Sequence, residues 1–520
     1  MAGPKPNIQD TLPVIHKSLE VGAFERAETI ARHLQQAYPR RADVNDALGH
    51  VLLAMGRYEE AETYCRRAVA SEKNNAVYLA NLGRVLLSMG LVTEAEPLLR
   101  RALDLDQRLF LAAWQLGMFY FHAGKGEDAV VLFRKAQSLA PPRARDAIRL
   151  DLIDALVALG EREEAKAEIA AGLKAGRFTA RLTSLLASVE KALPDSPVAR
   201  LIEQQLERRD LLPEERSGLL LRKGTMLENA KSYDEAFTAF SAAKRQLTSA
   251  TDIKAFAHDV DARIAFFTRG CIEELGSQYG APGESHVFVL GLPRTGTTLV
   301  EQIISRHSQA GAMGELETMT YVTAQLRGGK PINQLKERLA ELGPARVREL
   351  SALYDRVAEY LVPGKIRIVD KMPHHFRYIG EIAILFPHAR FVHCLRHPAD
   401  SFMSAFQNDM NAAHGYSYSP EAYAEYYAHY MRLMDHWKQV LPDRILTVPY
   451  ETLAASPGPT ISQLLAFLEL PWEEACLSPH EGRNTVRTFS NMQVRSPINT
   501  SSIDRWKPYA KYLGALTAAN

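Results

Sequence analysis

The chain of 520 residues is short of cysteine, of net charge and of long apolar runs. Its four cysteines, Cys65, Cys271, Cys394 and Cys476, stand far apart and form no C-x-x-C pair. That excludes a disulfide framework and a cysteine-based zinc site, and it fits a reducing compartment. Lys plus Arg total 62 against 61 Asp plus Glu, a net charge of +1, so composition gives no support for bulk nucleic-acid or membrane-surface binding. No apolar stretch in the sequence reaches the length of about 18 residues that a membrane-spanning helix needs. The opening MAGPKPNIQD is polar and lacks the apolar core of a signal peptide, so a cytoplasmic location is expected. What is present is ordinary, 46% hydrophobic and 24% charged, in a chain too long for one core. Two or more globular domains are therefore expected.

The first half repeats itself. Gly49, Gly83 and Gly117 are 34 residues apart, as are Gly22, Gly56, Gly90 and Gly124, and as are Ala27, Ala61, Ala95 and Ala129. Such self-similarity marks stacked supersecondary units. Each unit reads as two helices, the first carrying Leu-Gly and the second a small Ala with a bulky partner, such as Ala129 with Phe133. Pro141 closes the third unit, because proline cannot continue a helix. These residues closely resemble the tetratricopeptide repeat, an α-solenoid family. About five or six repeats are expected between residues 8 and 245, within a helical repeat domain spanning 1–245. The array is expected to offer a surface to a partner or substrate chain, or to serve oligomerisation. Residues 246–284 read as a helical connector.

From residue 285 to 520 the pattern becomes α/β. Val287–Leu290, Ile366–Val369, Phe391–Leu395 and Ile445–Val448 read as strands alternating with helices, which predicts an open parallel sheet covered on both faces. Ligands in such folds sit beyond the carboxyl ends of the strands. The segments GLPRTGTT, DKMPHH, RHPADSFMS and PYETL fall there, and three of them carry Arg294, Lys371 and Arg396. Three basic residues at strand ends point to a convergent anion site.

The first of these segments lies in HVFVLGLPRTGTTLVEQI, where Gly291 and Gly296 have the spacing of the phosphate loop G-x-x-x-x-G-K-[ST]. Thr297 stands where that loop has its lysine. Backbone N–H groups leading into a helix still bind an anion. With the lysine missing and no convincing strand-end Asp for magnesium, a transferred group of lower charge fits better, and a sulfuryl group carries less charge than a phosphoryl group. Asp370 follows a strand, but Lys371 beside it is as good a ligand contact.

PRTGTT with its strand resembles the 5′-phosphosulfate loop of sulfotransferases, and RHPADSFMS resembles the family's second donor motif. VPYETL is similar to a further family segment. The resemblance covers roughly 285–510, and PRTGTTL, GELE and DKMP are closest to tyrosylprotein sulfotransferases. It implies 3′-phosphoadenosine 5′-phosphosulfate as donor, without a metal. It implies that Arg294, Thr295, Gly296, Thr297 and Thr298 wrap the 5′-phosphosulfate, that Lys371 reaches the bridging oxygen, and that Arg396 and Ser404 hold the 3′-phosphate. The general base is implied at Glu315 or Glu317, with Glu315 preferred. His374 is the rival, placed one residue further from its lysine than in small-molecule sulfotransferases. His374 and His375 have no evident third ligand for a metal. In the closing segment SNMQVRSPINTSSIDRWK the resemblance implies donor contacts from Ser490, Arg495 and Lys507.

Tyr416, Tyr418, Tyr423, Tyr426, Tyr427 and Tyr430 read as a packing cluster rather than a substrate surface. The acceptor hydroxyl stays open between tyrosyl peptides, carbohydrates, lipids and small phenols, with a protein bound by the repeats as one partner. The competing readings are a kinase-like nucleotide enzyme of the same fold and a non-catalytic repeat scaffold with a vestigial α/β half.

Overall fold

The structure, a computed structural model, describes residues 6–248, 251–410, 412–482 and 496–517. The chain divides into two compact units. One runs to Leu152 and takes in Glu317–Tyr321; the other holds Ile153–Leu316 and the chain from Val322 onward.

Among the described residues, fourteen helices lie between Ile8 and Lys244, in seven consecutive helix–turn–helix pairs rather than the five or six expected. The difference arises in 142–206, where helix lengths run from 18 residues (Pro142–Leu159) to 10 (Pro197–Leu206) and the 34-residue spacing is lost. In the first unit that spacing is a packing rule. A Cβ on Gly49 would lie 2.5 Å from Cys65 Sγ, one on Gly83 2.7 Å from Leu99 Cγ, and one on Gly117 2.8 Å from Phe133 Cδ1. Each glycine thus meets the bulky residue 16 positions on, carried by the paired helix. A larger residue would force the helices apart. The turns end in Gly22, Gly56, Gly90 and Gly124, all at φ of 72–75°, a conformation that strains any residue with a Cβ.

The second unit contains the last hairpin, α1 (Pro213–Asn229) and α2 (Tyr233–Lys244). Gly224 of α1 faces Phe240 of α2 at the same 16-residue separation. Helices Ile253–Phe266 and Arg269–Tyr279 follow and pack within this unit. Phe256 stacks on Tyr426 at 4.1 Å, and the fully buried Arg263 makes two 2.9 Å hydrogen bonds to the fully buried Glu381.

The sheet has five parallel strands: β1 (His286–Gly291), β2 (Ala310–Gly314), β3 (Arg367–Lys371), β4 (Arg390–Leu395) and β5 (Ile445–Pro449). Their order is β2-β3-β1-β4-β5. β2 is the strand the sequence pattern does not reveal. The helices that matter for the site are α3 (Thr297–Ser305), α4 (Pro398–Phe406) and α5 (Pro420–Val440). β1 is buried along its whole length, as a central parallel strand covered on both faces must be. On one face Val287, Val289, Val369 and Val392 pack with Val300, Ile303 and Ile304 of α3. On the other Phe288 stacks with Tyr354 and Phe391, with centroids 5.9 and 5.7 Å apart. Each such buried side chain contributes about 1.5–3 kcal/mol. The tyrosine cluster is packing: Tyr416 stacks on Tyr426 at 3.9 Å, and Tyr430 is fully buried against His393.

The chain leaves β1 towards β2 and leaves β4 towards β5. The direction of winding therefore reverses at the carboxyl ends of β1 and β4, where an open parallel sheet forms its ligand crevice. Among the described residues no helix is long and apolar enough to cross a membrane.

Candidate active site

Five strand ends supply the site. β1 runs into Leu292–Gly296 and then α3. Gly291 sits at φ 152°, and a Cβ there would lie 2.5 Å from the Cys394 carbonyl oxygen of β4, so the loop leaves the sheet pressed against its neighbour. Gly296 takes the N-cap position of α3 at φ 97°, and a Cβ there would meet the Tyr450 ring at 2.8 Å. Thr297 and Thr298 are the first two residues of α3, both buried. Thr295 braces the loop through a 2.7 Å hydrogen bond from Oγ1 to the Leu292 carbonyl. The helix start thus faces the crevice with a capping residue that has no side chain, the arrangement that suits an anion.

Arg294, at φ 72°, donates from Nε to Ser404 Oγ of α4 at 2.9 Å. Arg396, immediately after β4, donates from Nη1 to the Arg294 carbonyl at 3.0 Å and from Nη2 to the Ser502 carbonyl, and its guanidinium lies 4.8 Å from the Tyr450 ring centre. Its buried Nε has no hydrogen-bond partner among the described residues. A buried guanidinium N–H without an acceptor, beside a second arginine, is what a binding site for an anion leaves exposed. Burial lowers the pKa of both arginines, with the Arg294 value brought down to about 10 by burial, then by Arg396 and Arg505 nearby. Both stay cationic at neutral pH, so the crevice concentrates positive charge that an anion would relieve.

Lys371 is the last residue of β3 and is almost fully buried. Its ammonium pairs closely with Glu315 Oε1, just past β2, and lies 3.7 Å from Glu301 Oε2 of α3. Asp370 goes the other way, as neighbours on a strand must. Its Oδ2 accepts a 2.8 Å hydrogen bond from Tyr354, and its Oδ1 lies 3.6 Å from His375 Nδ1. The two histidines diverge. His375 is buried against Phe288, whereas His374 stacks on His414 with centroids 4.8 Å apart. Burial, then His414, Arg377 and His375, push the His374 pKa down to about 3.

The structure therefore brings together Arg294, Thr295, Gly296, Thr297, Thr298, Arg396 and Ser404 around the end of β1, and Lys371 with Glu315 beside them on β3 and β2. Glu317 is exposed and belongs to the segment that groups with the first unit. Lys507 is exposed and pairs with Asp504 at 2.6 Å. Ser490 and Arg495 lie outside the described residues. Sequence reading missed three residues. Arg505 acts electrostatically on both Arg294 and Arg396 and bonds Glu228 of α1 at 3.0 Å. Tyr450, directly after β5, packs on Gly296 and Arg396. Glu301 is the buried second carboxylate on Lys371. Arg505 stands two residues before Lys507, so the RWK segment held the signal, and Asp400 fixes it by accepting the Asp504 and Trp506 N–H groups at 2.8 and 3.1 Å.

Residues 286–474 match a family model described as "Sulfotransferase family". Residues 40–108, 80–144 and 120–189 match three tetratricopeptide repeat models. An uncharacterized protein of Aquifex aeolicus (strain VF5) is 32% identical over 402 residues, covering 75% of this chain and 52% of that protein. Protein-tyrosine sulfotransferase 1 of Danio rerio is 26% identical over 234 residues, covering 42% of this chain and 65% of that protein. The chain thus spans about half to two thirds of the length of these relatives. Among solved structures, the sulfotransferase domain of the Synechococcus PCC 7002 olefin synthase aligns with 44% of this chain and 88% of that domain, at 23% identity and a TM-score of 0.33. A thermophilic TPR protein of Thermus thermophilus aligns with 35% of this chain and 99% of its own, at 19% identity and a TM-score of 0.33.

Proposed function

We propose that this chain, which joins tetratricopeptide repeats to a sulfotransferase-family domain, transfers the sulfuryl group of 3′-phosphoadenosine 5′-phosphosulfate to an acceptor hydroxyl. One observation carries the reading. The Arg294–Ser404 contact of 2.9 Å and the unpartnered Nε of Arg396 lie on one side of the loop after β1, and Lys371 with Glu315 lies on the other. The first group suits the 3′-phosphate of the donor. The loop from Arg294 to Thr298 suits its 5′-phosphosulfate.

In this reading Glu315 accepts the acceptor's hydroxyl proton as that oxygen attacks sulfur. The bond from sulfur to the bridging oxygen breaks, and Lys371 stabilises the negative charge left on the 5′-phosphate. Preorganised cations and backbone N–H groups in a water-poor crevice supply most of such catalysis. The kinase-like alternative is disfavoured by Thr297 in place of the loop lysine and by the engagement of Asp370 with Tyr354, away from Lys371. The relatives named as protein-tyrosine sulfotransferases support a tyrosyl acceptor, and the repeats suit recognition of a protein that bears it.

The test is transfer of labelled sulfate from the donor into a cell lysate, followed by identification of the labelled species. Labelled protein with acid-labile tyrosine sulfate is the expected result. Labelling confined to carbohydrate or lipid would replace the acceptor, and no labelling together with no binding of 3′-phosphoadenosine 5′-phosphate would overturn the donor.

A further inference from the structure

Glu301 lies one turn into α3, four residues after Thr297 and therefore on the same side of the helix as the start of the anion loop. It is 5% exposed. Its Oε2 is 3.7 Å from the Lys371 ammonium, which also holds Glu315. Two carboxylates on two different elements thus share one lysine at the point where the donor reading puts the bond that breaks. A carboxylate this deep is tolerated when it has a counter-charge or a proton.

We propose that Glu301 is a positioning residue of the transfer site: it anchors Lys371 from the helix side while Glu315 turns to the acceptor, and it takes up a proton when the donor draws the lysine away. This rests on the donor reading above. With its counter-charge withdrawn and new negative charge in the adjoining loop, a buried carboxylate binds a proton. The ground is prepared, since burial already raises the Glu301 pKa to about 7, with Lys371 lowering it and Glu315 raising it. Protonated Glu301 then leaves the Lys371 charge undivided for the leaving oxygen.

The charged and titratable groups around α3 are few among the described residues. Glu315 faces it from the end of β2, Lys371 from β3, and Cys394 from β4, where burial keeps the thiol protonated. Glu474, His480 and Glu481 lie on the short turns Glu474–Leu477 and Pro479–Glu481 against its other end, where Glu481 is 3.7 Å from Arg306.

The test is calorimetry of 3′-phosphoadenosine 5′-phosphate binding at pH 8 in two buffers of different ionisation heat, which counts the protons taken up. The wild-type chain is expected to take up about half a proton or more at that pH. Glu301→Gln, isosteric with the protonated side chain, is expected to lose that uptake, to bind the nucleotide within a few-fold of wild type, and to lose the limb above about pH 8 from its kcat profile with little change in donor KM. Glu315→Gln is expected to keep the uptake. The same proton count in wild type and Glu301→Gln would overturn the inference while leaving the donor reading intact. No binding by the wild-type chain would overturn both. Should Glu301→Gln fail to fold, the wild-type count measured from pH 7 to 9 decides, and a count near zero throughout would overturn the inference.

Discussion

Arg294 and Ser404 are 110 residues apart in the chain, yet the arginine Nε donates to the serine hydroxyl at 2.9 Å. One belongs to the loop after β1, the other to the last turns of α4, so the contact closes the crevice where the sheet changes direction. Arg396 adds to this from β4 by holding the Arg294 carbonyl at 3.0 Å. The serine supplies one neutral hydroxyl to a bound anion, whereas Arg396 supplies charge and an N–H that has no other acceptor among the described residues. A neutral hydrogen bond is worth about 1 kcal/mol and one to a charged group about 1.5–3 kcal/mol. Ser404→Ala is therefore expected to weaken binding of 3′-phosphoadenosine 5′-phosphate about five-fold, and Arg396→Ala about 10- to 150-fold, by calorimetry. Equal losses would argue against Arg396 as the main 3′-phosphate ligand.

The choice between Glu315 and His374 as base turns on their surroundings. His374, with its pKa pushed down to about 3, is a poor proton acceptor. A base is most effective when its pKa lies near the working pH. Glu315 is partly exposed and sits on Lys371, the residue beside the leaving oxygen in the proposed reaction. Glu315→Gln is expected to lower kcat by about 10²–10⁴-fold with donor affinity nearly unchanged, whereas His374→Gln keeps kcat within several-fold. Single-turnover sulfate transfer under saturating donor separates the two. Near-normal turnover by Glu315→Gln would remove it from the role.

Much of this architecture is legible in the residues, for reasons that also explain the gaps. The repeats show because a glycine pressed on a bulky residue 16 positions on cannot vary freely, as with Gly83 and Leu99. Where helix lengths change after residue 142 the period fails, although Gly224 and Phe240 keep the pairing. The strands β1, β3, β4 and β5 read as β-branched and aromatic runs. β2 is AGAMG, five small or flexible residues, and becomes a strand only because β3 pairs with it. Glu301 reads as the polar face of an amphipathic helix, yet eight of the nine residues of α3 are buried. The sheet covers one side of α3, and the turns at Glu474–Leu477 and Pro479–Glu481 cover another, which no local pattern in VEQII announces. Lys507 was the more obvious cation of RWK, but the backbone there turns Arg505 to Glu228 and leaves Lys507 at the surface.

Acid should unfold the α/β unit through its buried histidines. His375 has no exposed surface, neither ring nitrogen has a hydrogen-bond partner among the described residues, and burial pushes its pKa down from 6.5 to about 3. A folded-state value below the unfolded one means that the unfolded chain takes the proton first as pH falls. The contribution is complete above the unfolded value of 6.5 and is lost as pH falls towards 3. Between pH 8 and pH 5 the loss is roughly 2 kcal/mol for this one residue. Glu301, raised to about 7, works in the opposite direction over the same window, because the folded chain takes its proton first. That term is common to wild type and a histidine variant and cancels between them. His375→Phe fills the same space against Phe288 and gives up no hydrogen bond. Relative to wild type it is expected to gain roughly 2 kcal/mol in unfolding free energy on going from pH 8 to pH 5, read from urea midpoints at the two pH values. The same pH dependence in both proteins would mean that His375 is protonated in the folded state at pH 5, with the Asp370 carboxylate 3.6 Å from its Nδ1 as the counter-charge.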